Sequence, residues 1–190
     1  MSIGWITRAS QKEEQRQRLL QIQAGQASGI DWAACLVLQA LHDKYGFGRK
    51  RFVTMNDKFE EKVGKFQGCC RDWRDELEKK GFKASMMYRF VDKITAAIVG
   101  NRKDPALKVQ VSNMLQGALI VVFYTLRKDY GFGPKRIHDL QKYIADYAWL
   151  IHKQEVSIYE FMECLTRECD VEFPVLEEYV KVHGRPKIYG

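Results

Sequence analysis

The stretch LHDKYGFGRKR, residues 41–51, decides the predicted fold because the chain contains it twice. The second version, LRKDYGFGPKR, occupies residues 126–136, and seven of the eleven positions are identical at an offset of 85 residues. A match of this length at one offset predicts an internal duplication. We call residues 45–51 corner 1 and residues 130–136 corner 2.

Apolar side chains recur every three or four residues on both sides of each corner, which places them on one face of an α-helix. The first glycine of each corner suits the left-handed residue that ends a helix, so each corner is predicted to be a tight turn between two helices. Pro134 replaces Arg49 and fits the first position of the following helix. The same offset also relates the apolar residues before the corners, in which Ile30, Ala34, Val37 and Leu41 match Leu115, Leu119, Val122 and Leu126.

The predicted fold is all-α, with two repeated helical subdomains and a polar N-terminal helix or arm. The run LIVVF at residues 119–123 would also suit a strand, but its match to the helical pattern of the first half favours a buried central helix. The predicted divisions are an arm at 1–28, the first repeat at 29–100, a linker at 101–105, the second repeat at 106–173, and a short helix with a tail at 174–190.

The charge of the chain is unevenly distributed. The net charge is +7, and residues 1–100 carry +6 of it. Residues 151–180 contain eight acidic side chains and only two basic ones. The protein is therefore expected to have a basic end and an acidic end.

No motif in the sequence identifies a reaction. The five cysteines and four histidines show neither a disulfide framework nor the spacing of metal ligands, so we predict no metal and no cofactor. No nucleophile motif is present. The histidines, the cysteines and the carboxylates do not show the spacing of catalytic groups, so the sequence does not indicate an enzyme. The absence of a signal peptide, and a longest apolar run about half as long as a membrane span, favour a cytoplasmic protein that does not engage a membrane.

The corners suggest one kind of chemistry. Each places a Lys-Arg pair at the start of a helix, where unpaired N–H groups and the helix dipole favour an anion such as phosphate. The nearby tyrosines are able to stack on an unpaired base if they are exposed. The alternative is a purely structural corner with buried aromatic rings, solvated cations and no ligand. The candidate phosphate and base contacts at the corners are Lys50, Arg51, Lys135, Arg136, Tyr45 and Tyr130.

The N-terminal arm has two interpretations of the same kind. Residues 11–26 contain six glutamines and a narrow apolar strip formed by Leu19, Leu20 and Ile22. This composition favours a solvated helix that packs loosely on the body of the protein. The alternative is a basic arm that contacts a phosphate backbone through Arg16 and Arg18.

The corner sequence resembles a motif found in small helical phage and prophage proteins of uncharacterised function, Leu-His-Asp-x-Tyr/Phe-Gly-Phe-Gly-x-Lys-Arg. Residues 41–51 match it throughout, whereas residues 127–129 and Pro134 of the second version depart from it. The resemblance covers about thirty residues around each corner. It implies a phage or prophage context and the cytosol of a host cell, and it brings no catalytic residue with it.

Two hypotheses for the function follow. The first is a non-catalytic protein that binds DNA or RNA through the paired corners. The second is a protein-binding module or an inhibitor of a host protein, with the acidic end as its contact surface. A homodimer formed through an exposed apolar helix face is compatible with both.

Overall fold

The computed structural model describes residues 29–99 and 105–188, and all regular secondary structure in these ranges is α-helical. Eight helices follow one another within these described ranges, which confirms the predicted all-α fold class. They are α1 (29–45), α2 (Arg49–Val63), α3 (Phe66–Lys79), α4 (Ala84–Val99), α5 (Pro105–Asp129), α6 (Pro134–His152), α7 (Ile158–Cys169) and α8 (Pro174–His183).

The helices begin and end where local chemistry directs. Gly46 and Gly131 have φ angles of 62° and 63°, the left-handed conformation that ends a helix with little strain only for glycine. Pro134 begins α6, as predicted. Ser157 and Glu160 form a capping box at the start of α7, with the serine side chain and the glutamate side chain each accepting a backbone N–H.

Helix α5 lies at the centre of the fold and packs against α2, α3 and α4. Helix α4 also packs against α6, and α7 packs against α2 and α8. Buried side chains from both halves of the chain, such as Leu36, Phe123 and Leu165, belong to one hydrophobic core. The exclusion of water from this shared core is the main stabilising contribution that we expect for the fold.

By length and composition alone, α5 is long and apolar enough to cross a membrane. Half of its most apolar stretch is buried inside the protein. This burial is typical of the core helix of a helical bundle. The run at residues 119–123 is apolar on all sides because neighbouring helices cover it on several sides.

Of two candidate caps for the first core helix, one is wrong and the other is untested. The sequence suggests Ser28 or Asp31 as the residue that caps the first core helix; Ser28 lies outside the described residues, and Asp31 lies within α1. The Asp31 carboxylate instead accepts the backbone N–H of Val175 at 3.3 Å, so it holds the start of α8. The predicted N-terminal arm, residues 1–28, also lies outside the described residues.

Candidate functional site at the paired corners

The two corners contact each other directly. The Tyr45 hydroxyl donates to the backbone carbonyl of Arg136 at 3.2 Å, and the Tyr130 hydroxyl donates to the backbone carbonyl of Arg51 at 3.3 Å. Tyr45 and Tyr130 are 85 residues apart, and so are Arg51 and Arg136. The two hydrogen bonds are therefore reciprocal, with each corner making to the other the contact that it receives.

The aromatic rings repeat this reciprocity. The ring centroids of Tyr45 and Phe132 are 4.9 Å apart, and those of Phe47 and Tyr130 are 5.4 Å apart. Phe47 and Phe132, which are equivalent at the offset of 85, contact each other at 6.2 Å and are both buried. These four rings form a small apolar cluster that holds the corners together.

The four predicted cations are exposed, and two of them, Arg51 and Arg136, lie against this cluster. The Arg51 guanidinium lies 5.2 Å from the centre of the Phe47 ring, and the Arg136 guanidinium lies 5.8 Å from that of Phe132. Both helices that begin here, α2 and α6, have glycine as the N-cap, which has no side chain to accept their first N–H groups. The arrangement joins two helix N-termini and two Lys-Arg pairs at one surface, a combination that attracts anions.

The tyrosines are half-buried and serve the contact between corners. Burial raises the pKa of the Tyr45 hydroxyl, and the charge of Asp139 raises it further, while Arg136 opposes the shift. Burial likewise raises the pKa of the Tyr130 hydroxyl, with Asp129 as the next contribution. Both hydroxyls therefore stay protonated and remain donors at neutral pH. Base stacking by these tyrosines stays a prediction.

The side chains at position 42 and at its equivalent, position 127, each form a hydrogen bond with the backbone of the corner that follows. The Nδ1 atom of His42 lies 2.8 Å from the backbone oxygen of Phe47, and Arg127 donates through Nη1 to the backbone oxygen of Phe132 at 3.4 Å. Different side chains thus hold the same carbonyl in the two corners. His42 and Arg127 therefore have the same structural role although their side chains differ.

The structure also brings His42 beside Glu168 and Cys169, partners that no motif in the sequence indicates. The His42 Nε2 atom lies 2.7 Å from a carboxylate oxygen of Glu168, and Cys169 Sγ lies 3.3 Å from Nδ1. Burial alone would lower the pKa of His42, but the hydrogen bonds to the Phe47 carbonyl and to Glu168 raise it overall. More than 120 residues separate these partners along the chain, so no local pattern could have indicated them.

This cluster has the residue types of a cysteine-histidine-glutamate triad without its arrangement of protons. His42 Nδ1 donates its proton to the nearer atom, the Phe47 oxygen, and so it is not free to accept the proton of Cys169. Burial raises the pKa of the Cys169 thiol, and the charges of Glu168 and Asp43 raise it further. A neutral, buried thiol is a poor nucleophile. The cluster therefore joins α1 to α7.

The acidic end is partly neutralised within the chain. Glu163 is fully buried and receives hydrogen bonds from Arg167 at 2.7 Å and from Arg185 at 2.9 Å. Asp170 forms an ion pair with Arg49 at 2.8 Å. Glu160 and Glu168 are also engaged, in the capping box and with His42. Four of the eight acids between residues 155 and 178 are therefore occupied by internal contacts.

A groove lies beside corner 1. An open, mostly apolar groove of about 460 Å3 runs between α1, α2, α5 and the connection from α7 to α8. Ile30 and Val53 line it and are exposed apolar side chains. Among residues 29–99 and 105–188, no group of three or more His, Cys, Asp or Glu side chains has the geometry of a metal site.

The structure brings together Arg51, Arg136, Tyr45 and Tyr130 of the eight predicted site residues, and Lys50 and Lys135 are exposed next to the two arginines in the chain. The other two, Arg16 and Arg18, lie outside the described residues. No family model, no curated protein and no solved structure matches this chain.

Proposed function

We propose that this protein is a non-catalytic nucleic-acid-binding protein that contacts phosphates through its paired Gly-Phe-Gly-x-Lys-Arg corners. The observation that supports the proposal most is the reciprocal contact between the corners. The two corners share one aromatic cluster, with Arg51 and Arg136 against its rings and Lys50 and Lys135 next to them in the chain, at the N-termini of two helices. Successive phosphates of a nucleic-acid backbone are the ligand that matches several cations and helix N-termini at one surface.

We also propose that the two halves of the chain arose by internal duplication. The reciprocal hydrogen bonds and ring contacts support this proposal, as do the equivalent roles of His42 and Arg127. Duplication would explain why the corners pair with each other, because related surfaces form self-complementary contacts in which each side makes the same interactions. The resemblance of the corner to a phage motif supports a phage or prophage origin and a cytoplasmic location.

The second hypothesis, a protein-binding module or inhibitor that uses its acidic end, has weaker support. The buried Glu163 and the paired Asp170 are not free to meet a basic partner without breaking internal ion pairs. Breaking an ion pair that involves a buried carboxylate is costly. By contrast, the four corner cations are exposed to solvent.

Fluorescence anisotropy with labelled single-stranded and double-stranded DNA and RNA tests the proposal. The full chain is compared, over a series of salt concentrations, with a variant in which Lys50, Arg51, Lys135 and Arg136 are all replaced by alanine. Each lost phosphate contact lowers the slope of log Kd against log salt by about 1, so the variant is expected to lose about 3 to 4 units of slope.

The matched control removes four exposed lysines elsewhere, Lys93, Lys108, Lys153 and Lys181. Lys108 lies near the start of α5, more than 20 residues before corner 2. At about 1.5 Å of rise per residue this is roughly 30 Å away. The control should retain most of the salt slope. Equal losses in both variants, or no binding by the full chain at low salt, would refute the proposal. Circular dichroism must show that each variant is folded.

A further inference from the structure

The groove between α1 and α2 corresponds to a site that is filled in the other half of the molecule. At the offset of 85 residues, α1 and α2 correspond to α5 and α6. Helix α4 packs against both α5 and α6 and covers the groove between them. Its buried side chains include Met87, Val91 and Ile94, spaced as on one helix face.

Three contacts direct the chain into that filled groove. Gln141 donates to the backbone oxygen of Lys83 and accepts its backbone N–H, both at 3.2 Å. Phe123 packs against Phe82 with ring centroids 5.2 Å apart. Gly81 lies so close to Pro134 that an added Cβ would be 2.9 Å from the proline Cβ.

The residues equivalent to these three groove residues all line the open groove. Subtracting 85 from positions 141, 123 and 134 gives Asn56, Leu38 and Arg49, and each of them lines the groove of about 460 Å3. The open groove is therefore the counterpart of the site that receives α4, built from the same positions.

Helix α8 does not take the place that α4 takes. It has 10 residues, whereas α4 has 16. Its start is held by Asp31, and it packs against α7, where Tyr179 stacks on Tyr159 with the ring centroids 3.8 Å apart. The connection before α8 forms one wall of the groove, and the surface between α1 and α2 stays uncovered among the described residues.

We propose that the chain's own N-terminal segment, residues 11–26, binds in this groove as an amphipathic helix. The segment has 16 residues, the length of α4, and it ends three residues before the first described residue of α1. Ile30, the second described residue of α1, lines the groove, so the segment reaches the groove without a long connection. Its apolar strip of Leu19, Leu20 and Ile22 would cover Ile30 and Val53.

The charges of the two partners are complementary. The groove is lined by four carboxylates and one cation, Arg49, whereas residues 1–28 contain four basic side chains and two acidic ones. Opposite charges at the rim of an apolar contact fix its register and orientation. Asp170 is already paired with Arg49. The remaining carboxylates are Asp31, Asp57 and Glu172, and the basic side chains are Arg8, Lys12, Arg16 and Arg18. This proposal draws on the duplication and not on nucleic-acid binding.

Site-specific photo-crosslinking in the full chain tests this proposal. A benzophenone amino acid replaces Val53 in the groove or, as the control, Val109 on α5; both valines are 58% exposed, and only Val53 lines the groove. After irradiation without nucleic acid, mass spectrometry identifies the linked peptides. Position 53 is expected to link to residues 11–26 within the same molecule, and position 109 is not.

A second variant, Leu19→Gln, Leu20→Gln and Ile22→Gln, is expected to reduce the crosslink from position 53 at least tenfold while circular dichroism still shows a folded protein. A mixture of isotopically light and heavy protein separates links within a molecule from links between two copies. Links that join two copies, an absence of links from position 53 to residues 11–26, or an undiminished yield in the triple variant would each overturn the proposal.

Discussion

The groove between α5 and α6 is filled by α4, whereas the related groove between α1 and α2 is open among the described residues. Both grooves flank the same corner sequence, with glycines at φ angles of 62° and 63°. The two grooves differ in the fourth helix of each half. In the first half this helix is α4, which follows Gly81 and is long; in the second half it is α8, which follows Phe173 and is short. The repeated corner thus sets the geometry of a helix pair, and the chain that follows decides what covers the pair.

The largest effect is expected inside the filled groove. Phe123 is fully buried against Phe82, so Phe123→Ala should lower the free energy of unfolding by about 3 to 5 kcal/mol. The matched change is Leu38→Ala in the chain that carries Leu19→Gln, Leu20→Gln and Ile22→Gln, where it should cost about 1 kcal/mol, since Leu38 is only partly buried. Urea denaturation followed by circular dichroism measures both. Equal losses would contradict the difference between the grooves.

The corners themselves should respond alike. Gly46→Ala and Gly131→Ala should each cost about 1 to 2 kcal/mol, because alanine is strained at positive φ. An added Cβ meets no atom within 4 Å at either glycine, so the cost is backbone strain alone. The control changes, Gly48→Ala and Gly133→Ala, lie at φ angles of −121° and −73° and should alter stability by less than about 0.5 kcal/mol. A large difference between the two corners in urea denaturation would weaken the case for duplication.

A smaller and pH-dependent effect should distinguish corner 1 from corner 2. The folded-state pKa of His42 is raised, so its charged form contributes stability that is fully present below about pH 6.5 and is lost as pH rises through the raised pKa. His42→Gln should therefore reduce the loss of stability between about pH 6 and pH 8. The equivalent change in corner 2, Arg127→Gln, removes no histidine and should leave the pH dependence unchanged. Urea midpoints at several pH values provide the measurement, and an unaltered profile in His42→Gln would contradict the role of this residue.

The smallest expected effect concerns the bonds between the corners. Tyr45→Phe and Tyr130→Phe each remove one hydroxyl that donates to an exposed backbone carbonyl, which water can then satisfy. We expect a loss of about 0.5 kcal/mol in each case, and similar values for the two residues because the contacts are reciprocal. Thermal or urea denaturation checks this expectation. A loss several times larger at only one tyrosine would show that the corners are held unequally.

Much of the local structure could be predicted from the sequence. The helical spacing of apolar residues predicts a helix on each side of both corners, and the structure has α2 (Arg49–Val63) after corner 1 and α5 (Pro105–Asp129) before corner 2. The positive φ angles of Gly46 and Gly131 and the position of Pro134 are confirmed. Each of these features depends on residues within a few positions of one another, so the pattern that specifies them is visible in a short window.

The candidate site could be predicted only in part. The sequence indicated the cations Lys50, Arg51, Lys135 and Arg136 but not that the two pairs meet around Phe47 and Phe132. It gave Asp31 a role as a cap for the wrong helix, because the N–H that it accepts belongs to Val175. The contact between His42 and Glu168 also joins residues more than 120 positions apart. Such contacts depend on how whole helices pack, which no local pattern encodes.

The sequence by itself determined the helical fold class, the two corners and their shared backbone conformation, since glycine chemistry and hydrophobic periodicity act locally. Tertiary structure decided that the corners pair reciprocally, that α4 covers one groove and that, among the described residues, α8 leaves the other uncovered. The physical reason is that burial of apolar surface rewards any packing that excludes water. The choice among such packings rests on contacts between distant residues, such as those of Gln141 with Lys83 and of Asp31 with Val175.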